Sequence, residues 1–141
     1  MHKTESEVEL DSASVKACWD KIKSAKGSDS FVDKFYQQMF KHHPETRPLF
    51  PENLMEQKRT LLSTLDNVIN GIEYINELEK ELIELGQHHK NIGIKREMFN
   101  AFITTIVETA NSSSDYRLTN EELISWENAF REISNIMLKA Y

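Results

Sequence analysis

Cysteine, glycine and proline are all scarce in this chain of 141 residues. The single cysteine, Cys18, rules out an internal disulfide and favours a reducing compartment such as the cytoplasm. Only four glycines and three prolines are present, so few positions can break a helix. No segment shows the alternation with a period of two residues that indicates a strand. These absences predict an all-α fold with short connections.

Long apolar runs and an excess of positive charge are also missing. No run approaches the roughly 20 residues that a membrane-spanning helix needs, and the polar N-terminal stretch has no signal-peptide core. The formal net charge is −6, which argues against nucleic acid or an anionic membrane as the main partner. We therefore expect a cytoplasmic protein with no nucleic-acid partner and no membrane partner.

The composition fits one globular domain, with 39% hydrophobic and 28% charged residues. Residues 1–10 are predicted to form a disordered lead, and residues 11–141 to form the domain. The spacing of apolar residues predicts six to seven helices. They cover residues 11–26, 28–42, 44–50, 53–71, 73–90 and 95–110, and Thr119 opens a last helix with a capping box.

One of two adjacent histidines lies on an apolar helix face in the stretch LIELGQHHKNIGI, residues 82–94. Spacings of three and four residues place five side chains on this face: Ile75, Leu78, Leu82, Leu85 and His89. His88 falls on the polar side, and Gly93 can end the helix. An apolar stripe needs no imidazole for packing. His89 is therefore either a satisfied core histidine or a ligand.

Two further polar side chains share faces with apolar residues. Tyr36 lies in an apolar row of the second helix, and a buried phenol needs a hydrogen-bond partner. That partner is solvent, a backbone carbonyl or a bound ligand. Gln57 precedes Leu61 by one turn and shares its face. It is either a boundary glutamine near a helix start or a functional side chain, and the spacing leaves both interpretations open.

The sequence lacks the common catalytic and metal-binding motifs. It has no glycine-rich phosphate loop, no zinc-type Cys/His spacing, no HExxH and no Ser/His/Asp elbow. Its acidic residues fall on predicted solvent faces, which argues against an enzyme built on paired carboxylates. Cys18 belongs to an apolar stripe and is interpreted as packing. His42 and His43 are interpreted as solvated loop residues.

Three segments carry a family resemblance: FYQQMFKHHPETRPLF (residues 35–50), MEQKRTLLSTL (55–65) and LGQHHKNIGI (85–94). In this order and spacing they resemble the single-domain bacterial globins, which are related to the haem domain of flavohaemoglobins. The first segment is similar to the family's second and third helices and ends in the phenylalanine that stacks on the haem, here Phe50. The second resembles the distal helix, with Gln57 at the distal position. The third matches the proximal pattern LGxxHxxxG, which selects His89.

The resemblance implies a globin fold around a haem b, with His89 as the axial ligand of the iron. The Leu85 carbonyl, one turn earlier, is the nearest acceptor for the other ring nitrogen. The expected cofactor-binding residues are Phe50, Leu61, Leu85, His88, Ile94, Phe99 and Phe102. Six of them would form apolar walls, and His88 would contact a haem propionate. Tyr36 and Gln57 would donate hydrogen bonds to dioxygen or another diatomic gas.

The resemblance implies reversible binding of dioxygen with high affinity, for oxygen binding, transport or scavenging, or for protection against reactive gases. Three alternatives remain. The first is nitric oxide dioxygenation, for which we expect an external reductase, because no segment that binds flavin or nicotinamide is expected after Tyr141. The second is a gas-sensing module of a longer chain, and the third is a helical domain that has lost its haem.

The sequence also departs from the family pattern near the expected iron ligand. Relatives have a tyrosine after the proximal histidine and a glutamate late in the last helix. Here the corresponding positions are Phe99 and the neighbourhood of Tyr141. This departure argues against peroxidase-like activation. The stretch from Phe50 to Gln57 is short, so the usual small helix is not expected there.

Overall fold

The computed structural model describes residues 10–25 and 28–141. Within these residues the chain forms six α-helices: α1 (Ser12–Ala25), α2 (Ser28–His42), α3 (Met55–Asn70), α4 (Glu79–Asn91), α5 (Met98–Asn111) and α6 (Asn120–Met137). Four short 3-10 segments accompany them: Pro44–Leu49, Ile72–Leu78, Ser114–Tyr116 and Leu138–Ala140. The described residues contain no strand, and none of their helices is long and apolar enough to cross a membrane. The all-α prediction is confirmed. The proposed lead, except Leu10, and the break at Gly27 lie outside the described residues.

A cluster of buried aromatic rings joins α1, α2 and α6. The rings of Trp19 and Trp126 stack with their centroids 5.9 Å apart, and Phe31 meets Trp126 edge-on at 6.1 Å. Each buried indole N–H has a partner, because Trp19 donates to Asp66 on α3 and Trp126 donates to a backbone carbonyl of α5. Cys18 is fully buried beside this cluster, as predicted from its stripe. The cluster fixes the positions of α1, α2 and α6 relative to one another.

The carboxylate of Glu122 is buried, which corrects the expectation that acidic residues face solvent. The predicted capping box is present: Thr119 Oγ1 accepts from the Glu122 N–H at 3.1 Å, and the carboxylate accepts from the Thr119 N–H at 2.8 Å. Lys21 of α1 donates to the same carboxylate at 2.7 Å. Burial raises the pKa of Glu122, but these bonds outweigh it and lower the pKa below its ordinary value. The ionised carboxylate thus connects α1 to the start of α6.

The single helix predicted over residues 73–90 is wrong in its first third. The chain instead forms the 3-10 segment Ile72–Leu78, and α4 begins only at Glu79. Tyr74 has non-helical backbone angles, with φ −118° and ψ 41°, and it interrupts the segment. Ile75 and Leu78 are three residues apart, which is a full turn of a 3-10 helix and nearly a turn of an α-helix. Apolar spacing therefore could not separate the two conformations.

Candidate functional site

Helices α2 to α6 enclose a largely apolar cavity of about 260 Å³. All ten residues predicted to form a site line this cavity: Tyr36, Phe50, Gln57, Leu61, Leu85, His88, His89, Ile94, Phe99 and Phe102. These residues come from four helices and two connecting segments, and the structure brings them together around one cavity.

The end of α4 places His89 in the last turn of the helix. Gly93 adopts a left-handed backbone with φ 98°, which a glycine tolerates without strain. The Ile94 N–H then bonds to the His89 carbonyl at 3.0 Å, and the Gly93 N–H bonds to the Lys90 carbonyl at 3.2 Å. These two bonds form a Schellman motif, which satisfies the last carbonyls of the helix. Gly93 therefore ends the helix directly after the histidine, as predicted.

The imidazole of His89 is held in its neutral form. Burial, and to a smaller extent the neighbouring His88, lowers the pKa of His89 from 6.5 to about 4. Its ring faces the edge of Phe99, with the two centroids 6.4 Å apart. His88 is exposed at the edge of the cavity. A neutral imidazole in an apolar cavity has a free lone pair that can bind a metal.

No other side chains near His89 complete a protein-only metal site. In residues 10–25 and 28–141, no group of three or more His, Cys, Asp or Glu side chains could hold a metal ion. His42 interacts with Gln38 at 3.1 Å, and His43 lies 3.7 Å from Glu45. His89 is the less exposed of the two imidazoles that line the cavity, and one such ligand suits a metal that a cofactor already carries.

A phenol and an amide meet in the same cavity from α2 and α3. Tyr36 is only 3% exposed, and its ring packs against Phe40 and Phe50 with centroids 5.8 and 5.7 Å away. Burial raises the pKa of Tyr36, and its interaction with the side-chain amide of Gln57 partly offsets that rise. The phenol therefore keeps its proton at neutral pH. It can donate a hydrogen bond into the cavity.

Arg47 holds the connection that leads from the cavity's aromatic wall to α3. Its guanidinium donates to the backbone carbonyls of Phe50, Pro51 and Glu52 at 3.0–3.1 Å. The same group lies over the Phe40 ring, 4.9 Å from its centroid. The stretch after Phe50 forms no helical turn before α3, as its length predicted. Sequence reasoning missed this role because the partners are backbone atoms.

Several lining residues were not predicted, although some follow from periodicity. Thr64 and Val68 continue the face of α3 that carries Gln57 and Leu61, so helical spacing could have found them. Another group comes from the inner face of α6: Phe130, Ile133, Ser134 and Met137. Their place in the site depends on how α6 packs across α4, which no local pattern contains.

Taken together, the helical fold and this cavity define a protein built to hold a prosthetic group. The family model described as Globin matches residues 33–137, which is most of the chain. The chain therefore belongs to the globin family, and family membership implies that it binds haem and gas ligands. The sequence-based identification and the predicted fold class are both confirmed.

The chain is similar to proteins of three bacteria. A flavohemoprotein of Halalkalibacterium halodurans is 21% identical over 118 residues, which cover 82% of this chain but only 29% of that protein. A bacterial globin from Campylobacter jejuni superposes with a TM-score of 0.77 at 19% identity, covering 91% of this chain and 94% of that one. An engineered carbene transferase, from a putative nitric oxide dioxygenase of Rhodothermus marinus, gives 0.76 at 18% identity and covers 94% of both chains.

The donor set of the cavity fits a haem. A neutral imidazole can supply one axial ligand, the lining is largely apolar, and the phenol and amide are uncharged donors. None of the lining side chains is a carboxylate that would have to be buried against an apolar ring.

The titration of His89 in the haem-free protein follows from its burial. We expect the ring to stay neutral as the pH falls to about 4, whereas in the unfolded chain it takes up a proton near pH 6.5. Between these values the folded state binds fewer protons, so the free energy of unfolding decreases as the pH is lowered through this window. NMR titration of the ring protons, assigned with His89→Ala, would measure the midpoint. A midpoint near 6.5 would contradict the buried, neutral imidazole.

Proposed function

We propose that this chain holds a haem b with His89 as axial ligand, and that it reversibly binds dioxygen with high affinity. Its role would be oxygen binding, transport or scavenging, or protection against reactive gases, in the cytoplasm. The observation that carries this proposal is the pairing of Tyr36 with Gln57 in the cavity that also contains the neutral imidazole of His89.

His89 has the protonation state that the axial role requires. When bound, the haem would supply an iron centre with one open position for a diatomic gas. The neutral imidazole offers a lone pair at one ring nitrogen, and a proton on the other could be donated to the Leu85 carbonyl. The two hydrogen bonds of the Schellman motif hold the backbone at the helix end that carries His89. His88, at the cavity edge, is the proposed partner of a propionate.

The apolar walls would separate the gas site from bulk water. Phe50 and Leu61 also line the cavity, and they lie in the same part of the chain as Tyr36 and Gln57. Leu85, Ile94, Phe99 and Phe102 line it from α4, the turn after α4, and α5. Removing water strengthens each polar interaction inside the cavity, because the local dielectric constant falls.

The phenol and the amide would stabilise a gas ligand that carries partial negative charge. Each is a hydrogen-bond donor, and a hydrogen bond to a charged group is worth roughly 1.5–3 kcal/mol. Two such bonds would slow ligand release by about two to four orders of magnitude, at roughly 1.4 kcal/mol per tenfold. Dioxygen bound in this cavity should therefore be released slowly. Gln57 is also a poor iron ligand, so coordination by a second side chain is not expected.

A second candidate function is nitric oxide dioxygenation with a separate reductase. The chain spans less than a third of the flavohemoprotein it matches, and it superposes on a putative nitric oxide dioxygenase over 94% of that structure. The same phenol–amide pair would retain dioxygen until nitric oxide arrives. An external electron donor would then return the haem to its reduced state.

Visible spectroscopy of the haem-reconstituted protein tests both proposals. We expect a Soret band, and a spectrum that changes reversibly when dioxygen is added and removed. The oxygenated form is then mixed with nitric oxide, and a cell extract and a nicotinamide cofactor are added afterwards. This experiment tests whether the protein consumes nitric oxide in repeated cycles. Repeated nitric oxide consumption would favour the dioxygenase, and a single oxidation without recovery would favour simple binding. Protein that shows no Soret band with haem available would overturn both.

A further inference from the structure

A second cleft, of about 240 Å³, lies between the start of α5 and the second half of α6. Most of the residues that line it recur every three or four positions, so one face of each helix supplies them. Phe99 and Ser134 also line the cavity that contains His89, so the cleft and the cavity are neighbours. The eight lining residues are Arg96, Phe99, Asn100, Ile103, Arg131, Ser134, Asn135 and Leu138.

The cleft has an apolar floor and a polar rim. Phe99 and Ile103 are 7% and 5% exposed, and they form the floor together with the partly buried Leu138. Four exposed side chains form the rim: Arg96, Asn100, Arg131 and Asn135. Guanidinium and amide groups both donate hydrogen bonds. The cleft therefore combines an apolar surface with hydrogen-bond donors around its edge.

The rim is positively charged, although the formal net charge of the chain is −6. Among the described residues, no carboxylate lines the cleft, and no carboxylate forms an ion pair with Arg96. Arg131 differs, because its Nε donates to the Glu127 carboxylate at 3.0 Å. That ion pair offsets much of the charge of Arg131, whereas the charge of Arg96 remains uncompensated. A ligand with a single negative charge would balance the rim.

We infer that this cleft binds a small monocarboxylate with an apolar body, such as an aromatic acid. The carboxylate would accept hydrogen bonds from the guanidinium groups of Arg96 and Arg131, whose planar donors match its two oxygens. The apolar body would cover Phe99 and Ile103 and remove water from them. Phosphate fits less well, because it has no apolar part and the net negative charge of the protein opposes a second negative charge.

An NMR titration of the isotope-labelled protein with benzoate tests this inference. The protein is titrated as purified and again after haem and carbon monoxide have been added, because carbon monoxide occupies an iron that could otherwise bind a carboxylate. The cleft lies outside the proposed haem cavity, so failure to take up haem would contradict the proposed function and not this site. We expect saturable shifts of backbone amides around Arg96, Asn100, Arg131 and Asn135, with a dissociation constant of about 10 mM or lower.

Two other anions test the chemical class of the ligand. Acetate has the same charged group but almost no apolar body, so it should bind at least about threefold more weakly than benzoate. Inorganic phosphate should also bind more weakly than benzoate. If either anion binds as tightly as benzoate, the proposed ligand class is wrong.

Substitutions at the rim test the assigned residues. Arg96→Gln should weaken benzoate binding about three- to tenfold, because it removes the uncompensated charge. Lys95→Gln is the matched control, since Lys95 is an exposed neighbour of the same charge that lines neither the cleft nor the cavity. It should bind benzoate within about twofold of the parent. Glu127→Gln should tighten binding about two- to threefold, because it frees Arg131 from its ion pair.

The outcomes that would overturn the site are equally specific. One is the absence of saturable shifts at benzoate concentrations up to several times about 10 mM. Another is a set of shifts centred on Gln57 and Leu61, which would place benzoate in the larger cavity. Equal weakening by Arg96→Gln and Lys95→Gln would show a general effect of charge. If Arg96→Gln does not fold, Arg131→Gln is the second variant, and unchanged binding in that variant would also overturn the site.

Discussion

Replacing His89 by alanine should abolish the normal ferrous haem spectrum, while replacing His88 by alanine should leave it intact. The two histidines are adjacent in sequence, yet α4 directs them differently. His89 is partly buried against Phe99, and His88 is exposed at the edge of the cavity. Only a neutral, buried imidazole presents its lone pair to the interior. Absorption spectra of the reduced proteins, reconstituted with equal amounts of haem, would measure the difference.

The His88→Ala variant is a close control for the His89→Ala variant. Both variants remove one imidazole from the same turn, and both add a good helix former. Circular dichroism of the haem-free proteins should show that each keeps its helices. Adding free imidazole to His89→Ala should restore part of the ferrous spectrum, because the cavity left by the side chain can admit the missing ligand. If His88→Ala loses the spectrum and His89→Ala keeps it, the assignment of the axial ligand is reversed.

Removing either distal donor should speed the release of dioxygen. We expect Tyr36→Phe and Gln57→Leu each to raise the dissociation rate by about ten- to a hundredfold, since each deletes a hydrogen bond worth roughly 1.5–3 kcal/mol. Tyr36→Phe keeps the ring that packs against Phe40 and Phe50, so only the hydroxyl is lost. Stopped-flow replacement of dioxygen by carbon monoxide would give the rates.

The double variant of Tyr36 and Gln57, and the release of carbon monoxide, make this test of the two donors more specific. The two donors interact with one another, so their effects should not add exactly, and the double-mutant cycle measures that coupling. Carbon monoxide attracts hydrogen-bond donors less than dioxygen because it carries less charge when bound. Its release should therefore change much less. Oxygen release that stays within a few-fold of the parent in both single variants would show that this pair does not hold the ligand.

Features that depend on neighbours in the sequence were predictable. The end of α4 follows from Gly93, because a Schellman motif needs only the residues around it. The start of α6 follows from Thr119 and Glu122, which form the capping box. The choice of His89 over His88 also rests on local helical spacing, together with the family pattern. That the ten predicted residues line one cavity could be expected from the sequence because most of them recur on predicted helix faces.

Features that depend on distant partners were not predictable. The 3-10 segment before α4 has the same apolar spacing as an α-helix, so its conformation had to be observed. Glu122 is buried because Lys21, about a hundred residues earlier, pairs with it. Tyr141 was noted only as the place where a family glutamate was expected. Its hydroxyl donates to the carbonyl of Ile94, 47 positions earlier. The spacing of residues along the chain does not indicate such a contact.

The burial of Cys18 has a consequence for how the protein tolerates oxidants. Desolvation, with a smaller contribution from Glu122, raises the pKa of this thiol to about 12, although Lys21 acts in the opposite direction. At neutral pH roughly one thiol in a hundred thousand is then ionised, and the thiolate is the form that reacts with peroxides and alkylating agents. The side chain is also fully inaccessible. Reactive oxygen species produced in its surroundings should therefore neither cross-link two copies through this thiol nor convert it to a sulfenic acid while the fold is intact.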